Sequence, residues 1–212
     1  MDDGHVDHAD GGQYGADAVR LVAVVKRGVQ HHVAQAADDE ERRHRQERLA
    51  AAFRIFGKFG FSEGVAGHIT ARDPERLDHF WVLAHGIPFW AATIDNLSLV
   101  GPDGSVVEGA TTGGINYAAH NIHWPILDAR PDLVSAAHTH TPFGTPWSAN
   151  VAPFQAISQE SCVFVYDQSI YRGDDLEVAT IGGGHAIAEA MGATRLCILR
   201  NHGLLTGGAS PG

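Results

Sequence analysis

The chain has 212 residues, 44% hydrophobic and 19% charged, a length and balance that suit one domain around a single sizeable core. A formal net charge of -10 argues against nucleic acid or an anionic membrane as partner, because no basic stripe stands ready to release counterions. Cys162 and Cys197 lie in or beside apolar runs, which predicts buried thiols in a reduced compartment, and no apolar stretch approaches the roughly 18 residues of a membrane span. With the acidic start MDDGHVDHADGG in place of a basic leader, a cytoplasmic protein is expected.

Residues 1 to 35 show little pattern. His5, His8, His31 and His32 sit in an acidic, glycine-rich stretch that reads as a disordered or loosely attached segment, with a stray strand at Leu21 to Val25. From Asp38 the character changes. Asp38 and Asp39 can cap a helix, and Leu49, Phe53 and Phe56 recur at helical spacing until Gly57 and Gly60, predicting a helix over Glu40 to Phe59. Gly64-Val65-Ala66-Gly67 then makes a turn feeding the strand His68-Ile69-Thr70-Ala71-Arg72. Such a turn lets the backbone approach a ligand, and its N–H groups can hold an anion, which makes Gly67 and His68 candidate substrate contacts. Asp73-Pro74 stops this strand. Phe80 to Ala84 resumes in apolar residues before His85-Gly86, and Leu97 to Val100 with Ser105 to Val107 form a hairpin across Gly101-Pro102-Asp103-Gly104.

After Gly113-Gly114 the period switches to about 3.6, with Ile115, Ala119, Ile122 and Ile126 on one face of a helix that ends near Arg130. His120 and His123 lie on it, and Pro125 should kink it. The stretch from Arg130 to Thr141 is the most informative of the chain. Leu133 to Ala137 reads as a buried strand ending in His138 and His140, one residue apart. Side chains i and i+2 of a strand share a face about 6 to 7 Å apart, close enough for two imidazoles to hold one ion at about 2.0 to 2.1 Å each. Pro142, Gly144 and Pro146 then oppose a regular helix up to Asn150. Phe154 to Tyr166 is an apolar stretch with Gln159-Glu160 inside it, a polar pair that is either edge-exposed or at a site. Gly182 to Met191 reads as a short helix, Leu196 to Leu199 as a strand, and Leu204-Leu205 as the start of another. Between those strands stands Asn201-His202-Gly203. A third histidine at a strand end completes a three-imidazole set, and three ligands with an open fourth position make a catalytic rather than a structural metal site. Strands mixed with helices and hairpins predict an α/β fold, a single domain of three α/β/α layers around a central, mainly antiparallel sheet.

These residues resemble the class II aldolase/adducin family. The resemblance is carried by Gly67-His68-Ile69-Thr70-x-Arg72, by the helix reaching His123 followed by Ala129-Arg130-Pro131-Asp132, by His138-Thr139-His140, and by Asn201-His202-Gly203-Leu204-Leu205. It runs from about Glu40 to Thr206. It implies metal ligation by His138, His140 and His202, normally of Zn2+ with Fe2+ or Mn2+ as alternatives, and a homotetramer with sites between subunits. It also implies Lewis-acid stabilisation of an enediolate in a small-molecule substrate. Adducin shares the fold without the metal histidines, so the full set here implies an enzyme.

The departures are specific. The position of the family's acid/base carboxylate is Ala119, the two preceding positions are Tyr117 and Ala118 where sugar-phosphate enzymes present hydroxyls, and His68 replaces a phosphate-binding asparagine. The series Gly67-His68-Ile69-Thr70-x-Arg72-Asp73-Pro74 and Asp78-His79-Phe80-Trp81 is similar to relatives that decarboxylate or oxygenate aromatic or keto acids. Proton transfer therefore falls to Glu160 or His123, since a buried carboxylate or a histidine near a metal can titrate near neutrality. The expectation is a metal-dependent lyase-type enzyme acting on a small carbonyl or keto-acid substrate. An adducin-like interaction module and a non-haem-iron oxygenase of an aromatic keto acid are the alternatives. A divergent segment over 1–37 precedes an aldolase/adducin-like domain over 38–212. That domain lacks the family's closing helix, which implies a shortened reading frame with an exposed apolar sheet face.

Overall fold

The structure, a computed structural model, describes residues 38–61, 66–110, 113–174 and 177–211. The readings of 1–35, of Leu21 to Val25 and of Gly64-Val65 lie outside these residues. Contacts divide the chain after Glu41, and the unit from Arg42 onward carries the sheet.

Among the described residues one sheet of eight strands forms: β1 (His68–Arg72), β2 (Phe80–Leu83), β3 (Leu97–Val100), β4 (Val106–Gly109), β5 (Ser135–Thr139), β6 (Gln168–Tyr171), β7 (Leu196–Leu199) and β8 (Gly203–Gly208). Its order is β4-β3-β2-β1-β5-β8-β7-β6. Every neighbouring pair is antiparallel except β6 with β7. The helices are α1 (38–58), α2 (Tyr117–Ala129), α3 (Gly144–Ala149), α4 (Gln159–Cys162) and α5 (Ile181–Met191).

The period of two along each strand divides the core in two. Ile69 and Ala71 of β1, Trp81 and Leu83 of β2, and Leu97 and Leu99 of β3 meet Leu49 and Phe53 of α1 on one face. Phe80, Val82, Val100, Leu199 and Leu205 point the other way, against Ile122 and Ile126 of α2 and Ile187 and Met191 of α5. This is the three-layer arrangement expected, with helices on both faces of a mainly antiparallel sheet.

The family-like segment around Arg72 and Asp73 holds the layers together. The Arg72 guanidinium is buried and donates to the carbonyls of Leu127 in the last turn of α2, of Arg130 and Leu133 beyond its end, and of Leu77 before β2. Asp73, wholly buried, accepts from Arg42 of α1 at 2.8 and 2.9 Å, from the Trp81 indole at 2.9 Å and from the backbone N–H groups of Glu75 and Arg76. A buried carboxylate is tolerated when its lone pairs are filled in this way.

α2 continues through Pro125. Proline lacks the N–H that would reach the carbonyl of Asn121, and Gly184 of α5 lies against that oxygen so closely that an added Cβ would stand 1.7 Å from it. The glycine thus allows α5 to approach the carbonyl that proline leaves free.

Three local expectations are corrected. Residues 144–149 do form a helix, α3, because Pro146 falls in its first turn, where an N–H has no intrahelical partner. Cys162 is exposed, at the end of the four-residue α4, whereas Cys197 in β7 is buried. The strand β6 was not foreseen; its residues are all half-buried, with no alternation to mark them.

Candidate metal centre

Two adjacent antiparallel strands and the loop between β7 and β8 bring three histidines together. His138 is the fourth residue of β5, paired with His68 of β1 on one side and with Leu205 of β8 on the other, and it is buried. His140 follows two residues later, half-buried. His202 arrives from the end of β7 through Asn201, whose φ of 56° is a left-handed conformation that asparagine tolerates better than most residues. Gly203 comes next because no side chain fits there: a Cβ would stand 2.5 Å from the Thr139 carbonyl and 3.2 Å from His138 Cε1. One ligating nitrogen from each of His138, His140 and His202 lies within 4.8 Å of the other two. The ring centroids are 4.6 to 4.9 Å apart, and all three pairs meet edge to face.

The donor set suits a borderline divalent cation. His138 Nδ1 lies 3.0 Å from the Leu204 carbonyl, which can only accept, so Nδ1 carries the proton and Nε2 presents its lone pair. That Nε2 faces His140 Nε2 at 3.0 Å, close to the roughly 3.3 Å that separates two nitrogens bound at about 2.05 Å around a tetrahedral centre. Burial, reinforced by the neighbouring imidazoles, holds His138 well below the usual histidine range, and it lowers His202 to about 4, with His140 adding to the effect. Both are neutral at physiological pH, the form that ligates.

Beside this set runs a second line of polar side chains. With the Thr70 hydroxyl donating to the Ala136 carbonyl, His123 Nδ1 donates to Thr70 Oγ1 at 2.7 Å and His68 Nδ1 donates to His123 Nε2 at 2.9 Å. The His68 ring centroid lies 5.1 Å from that of His138. Burial lowers both His68 and His123 well below their ordinary value, with further lowering by His123 on His68 and by His138 on His123. Both histidines of α2 point inward. His123 is wholly buried, and His120 is buried too, its Nε2 3.0 Å from the Pro102 carbonyl. Thr70 escaped notice in the sequence, although it shares a strand face with His68 two residues before it.

Gly67, at φ 85°, and His68 line a cavity of about 120 Å³ between α1, the end of β2 and the start of α2. Glu160 stands elsewhere. It is exposed in the first turn of α4, and its own backbone N–H and the Ser158 hydroxyl hold its carboxyl below the usual range. Of the two readings open to the Gln159-Glu160 pair, an exposed edge or a site, the single chain shows the exposed one, with the Glu160 carboxyl below the usual range.

Residues 47–212 match the family model described as Class II Aldolase and Adducin N-terminal domain. Decarboxylase NovR of Streptomyces niveus is 36% identical over 173 residues, spanning 80% of this chain and 63% of that protein. The 4-hydroxy-3-prenylphenylpyruvate oxygenase/4-hydroxy-3-prenylbenzoate synthase of Streptomyces roseochromogenus subsp. oscitans is 37% identical over 175 residues, covering 80% of this chain and 61% of that one. Among solved structures, an L-fuculose 1-phosphate aldolase from Glaciozyma antarctica PI12 superposes with a TM-score of 0.75 at 38% identity, covering 82% of this chain and 67% of that chain. The chain spans about three fifths of the length of these two curated relatives.

Proposed function

The chain belongs to the class II aldolase/adducin N-terminal domain family, and from that premise we propose that it is a divalent-metal-dependent, lyase-type enzyme acting on a small carbonyl or keto-acid substrate. The observation that carries the reading is the convergence of His138, His140 and His202, with nitrogens within 4.8 Å and two of the three rings held neutral by burial. These three residues would hold the ion, zinc first and Fe2+ or Mn2+ as alternatives, since imidazole suits all of them. When bound, such an ion supplies Lewis-acid polarisation of a substrate carbonyl. Gly67 and His68 border the substrate. Proton movement is assigned to His123, whose Nε2 accepts from His68 while Thr70 fixes the far side of its ring. The helical position one turn before His123 offers no carboxylate for this role, because it is the buried Ala119. Glu160, exposed on α4, enters the chemistry only where a second copy brings it to a neighbouring site.

The same reading carries a cytoplasmic homo-oligomer, tetrameric by resemblance, in which a second copy covers exposed side chains such as Trp90, Phe143 and Tyr166. No described helix is long and apolar enough to cross a membrane. A non-haem-iron oxygenase of an aromatic keto acid is the second reading, favoured by the 37% identity to the prenylphenylpyruvate oxygenase. An adducin-like module without chemistry is the rival of a different class.

The test is turnover of a panel of keto acids by protein reconstituted separately with zinc, iron and manganese, following loss of the keto acid and release of carbon dioxide. The lyase reading expects metal-dependent loss without oxygen consumption, abolished in His138→Ala. Stoichiometric oxygen uptake selects the oxygenase, and inactivity of fully metallated protein across keto acids, sugar phosphates and aldehydes selects the module.

A further inference from the structure

We propose that the groove between α1 and the β5–β8 pair is a second binding site, for an uncharged apolar molecule of about six carbons that carries one hydroxyl or carbonyl oxygen. The groove lies on the sheet face turned away from the metal histidines. Ile69, Ala137 and Thr206 stand opposite one another across β1, β5 and β8, as do Ala71, Ser135 and Gly208, and Ile69 and Ala71 belong to the core under α1. His138, one residue on from Ala137, points the other way, toward His68. Ala52 and Phe56 of α1 form one wall, Ile69, Ala137 and Thr206 form the floor, and a volume of about 180 Å³ stays open between them.

Two features select the occupant. The lining contains no charged side chain, so an ion entering here would exchange its hydration for apolar walls. Ser135 is only 6% exposed, it lines the groove, and its hydroxyl has no hydrogen-bond partner among the described residues. Gly208 opposite it has no side chain to fill the floor. The Thr206 hydroxyl is 3.5 Å from the Ala137 carbonyl, too long for more than a weak bond. A ligand oxygen that meets Ser135 replaces the bond a water would make, while the body of the ligand displaces further water from Phe56, Ile69 and Ala137. The size follows from the volume. An apolar cavity of roughly 150 Å³ takes up benzene, so about six carbons suit this one.

The test titrates 1-hexanol, 1-butanol and hexanoate by ligand-observed NMR into the full chain and into its Ala52→Trp, Ser135→Ala and His138→Ala variants. Ala52 is half-buried on α1, so tryptophan there fills the groove from the helix side, and a melting curve verifies that the fold is kept. Each buried methylene should tighten binding about four-fold, which makes 1-hexanol about 15-fold tighter than 1-butanol. Hexanoate, equal in length but charged, should bind at least about ten-fold more weakly than 1-hexanol. Ala52→Trp should abolish 1-hexanol binding, and Ser135→Ala, which removes one oxygen, should weaken it about five-fold. His138→Ala should bind 1-hexanol as wild type does, because the metal histidines lie on the opposite face. Absence of saturable binding, hexanoate binding as well as 1-hexanol, or affinity for 1-hexanol unchanged in both Ala52→Trp and Ser135→Ala would overturn the proposal. Loss of binding in His138→Ala alone would move the alcohol to the metal centre and overturn it equally.

Discussion

Replacing Asp73 by asparagine tests whether the residues that carry the family resemblance are scaffold or site. The substitution keeps the shape and removes the charge on which Arg42, Trp81 and two backbone N–H groups converge. Breaking a buried ion pair from one side costs about 3 to 5 kcal/mol. Arg42 keeps 16% side-chain exposure and a second carboxylate, Glu75, at 2.5 Å, which places the loss near the lower end, about 3 kcal/mol. At about 2 to 4 °C per kcal/mol for a chain of this size, the melting temperature should fall by about 6 to 12 °C. The pH dependence has a definite sign. Burial pushes the Asp73 carboxyl up, but Arg42, the Arg76 N–H and the Trp81 indole together outweigh it, and the net shift is downward. The carboxylate therefore contributes stability that is fully present above its unfolded value of about 3.9 and is lost as the pH drops through the lower folded value. Circular-dichroism melts between neutral pH and acid should show wild type losing this increment and Asp73→Asn lacking it from the outset, with metal content equal in both. A shift below about 2 °C, or the same acid slope in both proteins, would refute the scaffold role.

Three other outcomes follow from close contacts. Gly203→Ala should weaken metal binding about 10- to 100-fold in a chelator competition while the fold persists, because the new methyl group presses on Thr139 and on the His138 ring; unchanged affinity speaks against the packing described. Gly184→Ala should lower stability by about 1 to 3 kcal/mol in urea denaturation, since α5 must leave the Asn121 carbonyl; a neutral effect would mean the helices have room to spare. His123→Asn should retain bound metal and lose turnover, whereas equal activity would remove His123 from the chemistry.

The clustering of His138, His140 and His202 was legible in the sequence because each stands at or just beyond the end of an apolar run, and the i, i+2 spacing of His138 and His140 fixes a shared face whatever the rest of the chain does. The three layers were legible for the same reason, as strands of period two alternate with segments of period 3.6. The hydrogen-bonded line from His68 through His123 to Thr70 was not, because it joins β1 to a helix more than fifty residues later and depends on how the two layers meet. Proline in the first turn of α3 and the even half-burial of β6 concealed those elements by removing the local marks of a helix and a strand. Glu160 could not be placed from the sequence, because its polar pair reads equally as an exposed edge or as part of a site; in the single chain α4 turns that side chain to solvent.

Metal content of the untagged protein, measured by plasma mass spectrometry after growth with zinc, iron or manganese, goes most directly to the central claim. The account predicts about one divalent ion per chain in wild type and a near-complete loss in each of His138→Ala, His140→Ala and His202→Ala, with the melting transition retained. Full occupancy in His202→Ala, or a metal-free wild type under all three supplies, would contradict it.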